Sequence, residues 1–252
     1  MFKDLKKAVC RANRELAAQG LIKLTWGNVS GIDRAKGLVV IKPSGVPYDA
    51  LRPESMVVVD LDGKVVAGKL RPSSDTPTHL VLYRAWPQIG GIVHTHSPYA
   101  TMFAQAGRGI PCLGTTHADT FYGEIPVTRT FKATEVESDY EANTGRIIVE
   151  RFANLSPEEM PAVLVADHAP FAWGKTPAEA VEHAVVLEEV ARMAVGTLLI
   201  SKGIPLVPQY LMEKHFRRKH GASAYYGQQQ PQTLNQENKP PSAIIGKMPG
   251  ST

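Results

Sequence analysis

Apolar residues Leu5, Val9, Ala12 and Leu16 recur at steps of three and four before Gly20, a period that predicts an amphipathic helix stopped by the glycine. The pattern then changes to β-branched runs. Leu24 to Ile32, Leu38 to Lys42, Met56 to Leu61 and Ile92 to His96 are bounded by Gly, Pro or Asp, so each reads as a strand. Ser97-Pro98 sets a capping hydroxyl before a first-turn proline, and Ser156-Pro-Glu-Glu159 and Thr176-Pro-Ala-Glu179 have the form of capping boxes. The longest helix is expected from about Pro177 to Leu199, largely buried, with His183 packed or at the surface. Between Ala162 and Trp173 two short apolar strands are interrupted by Asp167-His-Ala-Pro170. Strands and helices alternate without a strict βαβ rhythm, which favours a mixed sheet covered by helices over a doubly wound parallel one. From Gln228 onward the chain is too polar and proline-rich to offset its ordering entropy. Residues 1–227 are therefore expected to form the catalytic domain and 228–252 a disordered tail.

Composition narrows the class. A chain of 252 residues, 43% hydrophobic and 21% charged, suits one globular domain or at most two small ones. No apolar run approaches the roughly 20 residues that span a bilayer, and the charged start Met1-Phe-Lys-Asp-Leu-Lys-Lys7 has no apolar core behind it. A cytoplasmic protein without membrane partners is expected. Cys10 and Cys112 cannot form a disulfide framework and read as small buried residues. The densest basic stretch, Lys214 to His220, lacks interleaved aromatics, so nucleic acid is not expected; a small anionic substrate or a solvated helix face explains it as well.

The chemistry gathers at histidines. Residues two apart on a strand project to one side, so His94 and His96 can reach one ion, although a His-x-His pair alone also fits plain packing. His168 is the natural third ligand because it breaks an apolar strand where an unpaired imidazole would be costly. Three neutral imidazoles leave a zinc ion its full charge and an open position, a catalytic arrangement. Arg71-Pro-Ser-Ser-Asp-Thr-Pro-Thr-His79 ends in a helix start whose serine hydroxyls and free amides could hold phosphate, with Thr76 as its cap. Lys42-Pro-Ser-Gly45 offers a second such set or a plain turn. In Gly114-Thr-Thr-His-Ala-Asp119, Asp119 is a candidate acid or base, and His117 a ligand or a hydrogen-bond partner.

Taken in order, the segments Leu24-Thr-Trp-Gly-Asn-Val-Ser30, Ile41-Lys-Pro-Ser-Gly-Val46, Pro72-Ser-Ser-Asp-Thr-Pro-Thr-His79, Gly114-Thr-Thr-His-Ala-Asp119, Pro170-Phe-Ala-Trp-Gly-Lys175, Arg218-Lys-His-Gly221 and Tyr225-Tyr-Gly-Gln228 resemble the class II aldolase family, and within it the L-ribulose-5-phosphate 4-epimerase branch. The resemblance runs from about Lys3 to Gln228. It implies a three-layer αβα sandwich around a mixed, mostly antiparallel sheet, and a homotetramer with sites at subunit interfaces. It also implies one Zn2+ per subunit on His94, His96 and His168, with Asp75 as a fourth or intermittent ligand. A phosphorylated ketopentose would meet Gly27, Asn28, Lys42, Ser44, Gly45, Ser73, Ser74 and Thr115. Asp119 from one subunit and Tyr226 from its neighbour would carry protons, with His215 and Arg218 reaching across the interface. Aldolases of the family typically hold glutamate where this chain has Asp75, which favours the epimerase; the adducin head is a non-catalytic alternative on the same fold. Members commonly carry His-Gly where this chain has His168-Ala169, so a positive φ at that position would strain the loop.

Overall fold

The computed structural model describes residues 2–221 and 224–227. The tail expected at 228–252 lies outside them. The first helix, α1 (Lys3–Ala18), buries Val9, Ala12 and Leu16 as the period requires. Four antiparallel strands follow: β1 (Asn28–Asp33), β2 (Leu38–Ile41), β3 (Val57–Asp60) and the exposed edge strand β4 (Val65–Ala67). The first strand starts later than its apolar residues suggest. Leu24 stands at φ 53° and is 79% exposed, so 24–27 form a turn over the sheet end instead of a continuation of β1. After α2 (Thr76–Ala85), strand β5 (Gly91–His94) and helices α3 (Pro98–Gln105), α4 (Thr115–Ala118), α5 (Ala133–Glu137) and α6 (Tyr140–Arg151), the hairpin β6 (Ala162–Leu164) and β7 (Pro170–Gly174) completes the sheet. Helices α7 (Pro177–Ile200) and α8 (Gln209–Lys219) close the described chain.

The strand order is β4-β3-β2-β1-β5-β7-β6, and every pairing between these strands is antiparallel. This agrees with the expected mixed, mostly antiparallel sheet; the parallel contribution is one isolated bridge, Val127 to Leu164. Alternation along β1 shows the layers. Gly31 lies against Leu5, Val9 and Pro177 of α1 and α7, while Ser30 beside it bonds His79 and Tyr83 of α2. Helices α1 and α7 thus cover one face, and α2, backed by α6, the other.

Close approaches in this sandwich depend on missing side chains. A Cβ on Gly91 would stand 2.5 Å from the Pro177 backbone. Gly91→Ala is expected to cost about 3 kcal/mol of stability because neither main chain can yield cheaply; a denaturant titration that leaves the midpoint unmoved would refute this. Helix α6, which carries no side-chain cap at Asp139, packs on α2 through Gly145, whose Cβ would fall 2.6 Å from that of Val81. A ring cluster of Trp86, Phe152 and Trp173 fills the same layer, with centroids 4.8 to 5.1 Å apart.

Three capping expectations change. Ser97 makes no side-chain cap; the two carboxylate oxygens of Glu188 on α7 accept from the Tyr99 and Ala100 amides at 2.9 Å and do that work. Ser156 accepts from the Glu158 and Glu159 amides at 3.3 and 3.4 Å as its motif requires, but the segment is a turn and no helix, while Thr176 accepts from the Glu179 amide at 3.1 Å. Thr76 donates to the Ser73 carbonyl at 2.6 Å and lies inside α2, whose N-cap is Asp75. Cys10 and Cys112 are buried and free. Helix α7 buries one face, from Pro177 to Ala194, and ends with Leu199 and Ile200 at 80% and 89% exposure. Among the described residues, no helix is long and apolar enough to cross a membrane.

Candidate active site

Antiparallel pairing sets Asn28, His94 and Phe171 side by side at one end of the sheet. Phe171 stacks on the His94 ring at 4.2 Å and 17°, a support that apolar composition alone could not single out. His96 lies just past the end of β5, not on it as the strand argument assumed, yet it still converges on His94. The hairpin loop 165–169 delivers His168, closed by the Val165 amide donating to Ala169 at 3.0 Å. In that loop the residue with positive φ is Asp167, at 61°, a residue type that tolerates the left-handed region. Ala169 is fully buried outside that region, so the strain feared from a missing glycine is absent.

The three imidazole centroids form a triangle with sides of 4.9, 4.9 and 5.1 Å. One potential ligand atom from each lies within 4.8 Å of the others. Burial and the neighbouring imidazoles depress His96, and push His168 down to about 3. Neutral rings are the metal-binding form. His94 Nδ1 lies 3.0 Å from the Pro170 carbonyl, which fixes its proton there and leaves Nε2 as a donor atom for an ion. Tyr140, to which no sequence signal pointed, places its hydroxyl 3.5 Å from His168 Nδ1.

Beside the triangle, Asn28 donates to Asp75 Oδ2 at 2.5 Å and to Ser73 Oγ at 3.1 Å, leaving its own Oδ1 buried without a partner. Asp75 is not among the residues whose ligand atoms converge. Burial opposes its charge, but His94, His79 and the Asn28 amide outweigh that and hold the carboxyl below its ordinary range. Gly27, at φ 94°, has room for no Cβ, since His94 O would stand 2.6 Å away, and its carbonyl accepts from Tyr48 Oη at 2.6 Å.

The two serine loops are one structure. Pro43 and Pro72 form an antiparallel bridge, the Ser44 amide donates to Arg71 and the Ser73 amide to Lys42, each at 3.0 Å. These amides were expected to be free for phosphate and are spent on the bridge; the amides of Gly45 and Ser74 and the hydroxyls of Ser44 and Ser74 have no partner among the described residues. Lys42, 2% exposed, lies 4.8 Å from the Tyr48 ring centre, and burial lowers it to about 8 against the pull of Asp75.

A second group forms where α8 packs on α4. Asp119 accepts from Arg218 Nε and Nη2 at 2.9 and 2.6 Å and lies 3.0 Å from His215 Nδ1, while its amide donates to Thr115 O. Burial works against the carboxylate, but the bonds from Arg218 and His215 prevail and lower its pKa. Arg218 also stands over the ring of Tyr226 at 4.9 Å. His215, Arg218 and Tyr226, expected to approach Asp119 or the metal ligands across an interface, thus gather around Asp119 within one chain. His117 lies 2.7 Å from the Gly123 carbonyl at 4% exposure, a hydrogen-bond partner and no ligand. His183 likewise packs against the Trp173 carbonyl, at 2.6 Å.

Among the described residues, no hydrogen bond or ion pair links this group to the three histidines. Tyr226 instead borders a cavity of about 690 Å³ lined by Trp173 and Gly174. That is the end of β7 remote from Phe171 and the triangle, three residues or roughly 10 Å along the strand.

Three buried histidines set an acid limit. Burial holds His79 and His168 down to about 3 and His117 to about 4. An unfolded chain takes these protons near pH 6.5. The contribution of these histidines to stability should therefore be constant above about pH 6.5 and fall as pH drops toward about 4, with the unfolded state binding up to three more protons. Denaturant titrations of metal-free protein across that window measure the slope; a flat profile would contradict it.

The family model described as Class II Aldolase and Adducin N-terminal domain matches residues 7–195. L-ribulose-5-phosphate 4-epimerase UlaF of Salmonella paratyphi A is 56% identical over 227 residues, 90% of this chain and 100% of that protein. The Salmonella typhi protein of the same name matches to the same extent, 56% over 227 residues. Among solved structures, an L-fuculose 1-phosphate aldolase has a TM-score of 0.72 at 26% identity, over 85% of this chain and 95% of that one. The l-fuculose-1-phosphate aldolase of Thermus thermophilus gives 0.63 at 26%, over 81% and 100%.

Proposed function

The chain belongs to the class II aldolase and adducin N-terminal domain family, and from that premise we propose that it is a zinc-dependent L-ribulose-5-phosphate 4-epimerase, forming D-xylulose 5-phosphate. The observation that carries the reading is the convergence of three imidazoles, two of them held neutral, beside a serine-rich double loop. The residues fit the ion: His94, His96 and His168 would hold it, with Asp75, whose charge interacts with His94 and His168, as a fourth or intermittent ligand. An adducin-like scaffold would need neither this donor set nor Asp119 and Tyr226.

The hydrogen on carbon 4 of the substrate is not adjacent to the carbonyl, so simple deprotonation cannot invert that centre. The bond between carbons 3 and 4 must break. A bound divalent ion supplies Lewis-acid stabilisation for the charge left on the carbon 2 to carbon 3 fragment. The hydroxyls of Ser44 and Ser74, the amides of Gly45 and Ser74, and Lys42 hold the phosphate of the other fragment. Asn28, Gly27, Ser73 and Thr115 complete the substrate contacts. Tethering makes re-addition effectively unimolecular.

Inversion needs a proton carrier for each face of the aldehyde, and Asp119 with Tyr226 meets that need. Arg218 and His215 hold Asp119 ionised, the form that can accept the proton of the carbon 4 hydroxyl. Tyr226, 61% exposed, is open to a second chain. Since one chain leaves the two groups unconnected, the working site joins the histidines of one copy to Asp119 of another, in a homotetramer with His215 and Arg218 at the shared boundary. The exposed apolar residues Leu199, Ile200 and Leu206 support assembly. Incubation with L-ribulose 5-phosphate should yield D-xylulose 5-phosphate. Steady accumulation of dihydroxyacetone and glycolaldehyde phosphate without the epimer would make the protein an aldolase instead.

A further inference from the structure

His79 is fully buried on α2, one turn after Asp75, and takes no part in the mechanism above. Its Nδ1 lies 2.7 Å from Ser30 Oγ, which lies 2.8 Å from Tyr83 Oη. All three side chains are sealed from solvent, and His79 Nε2 has no partner. A buried unpaired group is costly and calls for a reason.

Counting donors fixes the proton. If Tyr83 donates to Ser30 and Ser30 donates to Nδ1, the only unmet group is a hydrogen on Nε2. If the chain runs the other way, the Tyr83 proton has no acceptor and the Nε2 lone pair has no donor, two unmet groups instead of one. The first arrangement is therefore preferred. It leaves an N–H in a layer where the nearest side-chain carboxylate on the same helix is Asp75, four residues back and on the same face. Asp75 receives its hydrogen bonds, from Asn28 and Ser73, on Oδ2 alone. The His79 ring also packs edge-to-face with Phe171, 6.1 Å between centroids at 69°, and Phe171 in turn stacks on His94.

We propose that His79 is a positioning residue for the metal site, whose Nε2–H, fixed by the Tyr83 and Ser30 hydroxyls, presents its positive end to Asp75 and steadies that carboxylate beside the three histidines. The proposal rests on the metal-site reading, but its tautomer can be tested without metal. Histidine nitrogen NMR of the metal-free protein should show His79 protonated on Nε2; protonation on Nδ1 overturns the idea. Zinc affinity, measured by competition with a chromophoric chelator, should fall about 10- to 100-fold in His79→Phe. The metal-free melting temperature should change little, because the unpaired Nε2–H is removed while the buried Ser30 hydroxyl loses its acceptor. His79→Gln, which keeps an N–H donor, should recover part of the affinity and stands in if the phenylalanine variant does not fold. In an Asp75→Asn background the His79→Phe loss should largely vanish. An unchanged affinity, or a loss that adds in full to that of Asp75→Asn, refutes the role. Zinc binding absent from the unmutated protein would instead refute the metal site itself.

Discussion

His168→Asn is expected to remove nearly all epimerase activity, roughly a thousandfold or more, together with the bound metal. Lewis-acid stabilisation contributes several kcal/mol to such a cleavage, and each 1.36 kcal/mol is a factor of ten in rate. Two imidazoles cannot hold the ion as three do. The loop that carries His168 is fixed by its backbone, through the Val165 to Ala169 bond and the Asp167 amide donating to Ala104, so the change should leave the hairpin intact. Metal content and turnover should fall together while circular dichroism stays the same. A variant that keeps full activity with stoichiometric metal would remove His168 from the ligand set.

Asp119→Asn should behave differently, losing roughly a hundred- to ten-thousandfold in kcat while keeping its metal, because it removes a proton carrier and leaves the triangle whole. Asparagine also gives up the charge that engages Arg218 at 2.6 Å, so some loosening of α8 from α4 should accompany the loss. The same separation predicts complementation. Copies bearing His94→Asn and copies bearing Asp119→Asn, unfolded and reassembled together, should recover part of the activity that neither has alone. Each mixed boundary can join an intact triangle to an intact Asp119. Recovery that never exceeds the sum of the two variants would mean that each chain builds its site alone.

The sheet was legible in the sequence because β-branched runs between turn residues have few other uses. Its mostly antiparallel direction came from the family resemblance and not from the residue pattern, since pairing depends on which strand ends the intervening segments bring together. Helix α6 left no clear signature: Asp139 supplies no side-chain cap, and Gly145, a poor helix former, is there to admit Val81. The expected serine cap at Ser97 was displaced by Glu188, which is remote in sequence. His94, His96 and His168 could be grouped from their places at strand ends, whereas Phe171, Tyr140 and His79 support them through contacts that no local pattern encodes. The serine loops show the same limit. Their residue types suggested a phosphate site, but only the Pro43 to Pro72 bridge shows which amides are already paired.

The proposed mechanism stands on cleavage of the bond between carbons 3 and 4, as opposed to removal of the hydrogen on carbon 4. The reaction run in deuterated water distinguishes them, with the product examined by NMR. Cleavage and re-addition predict D-xylulose 5-phosphate that retains its original hydrogen at carbon 4. Deuterium at that carbon, or no epimer at all, would contradict it.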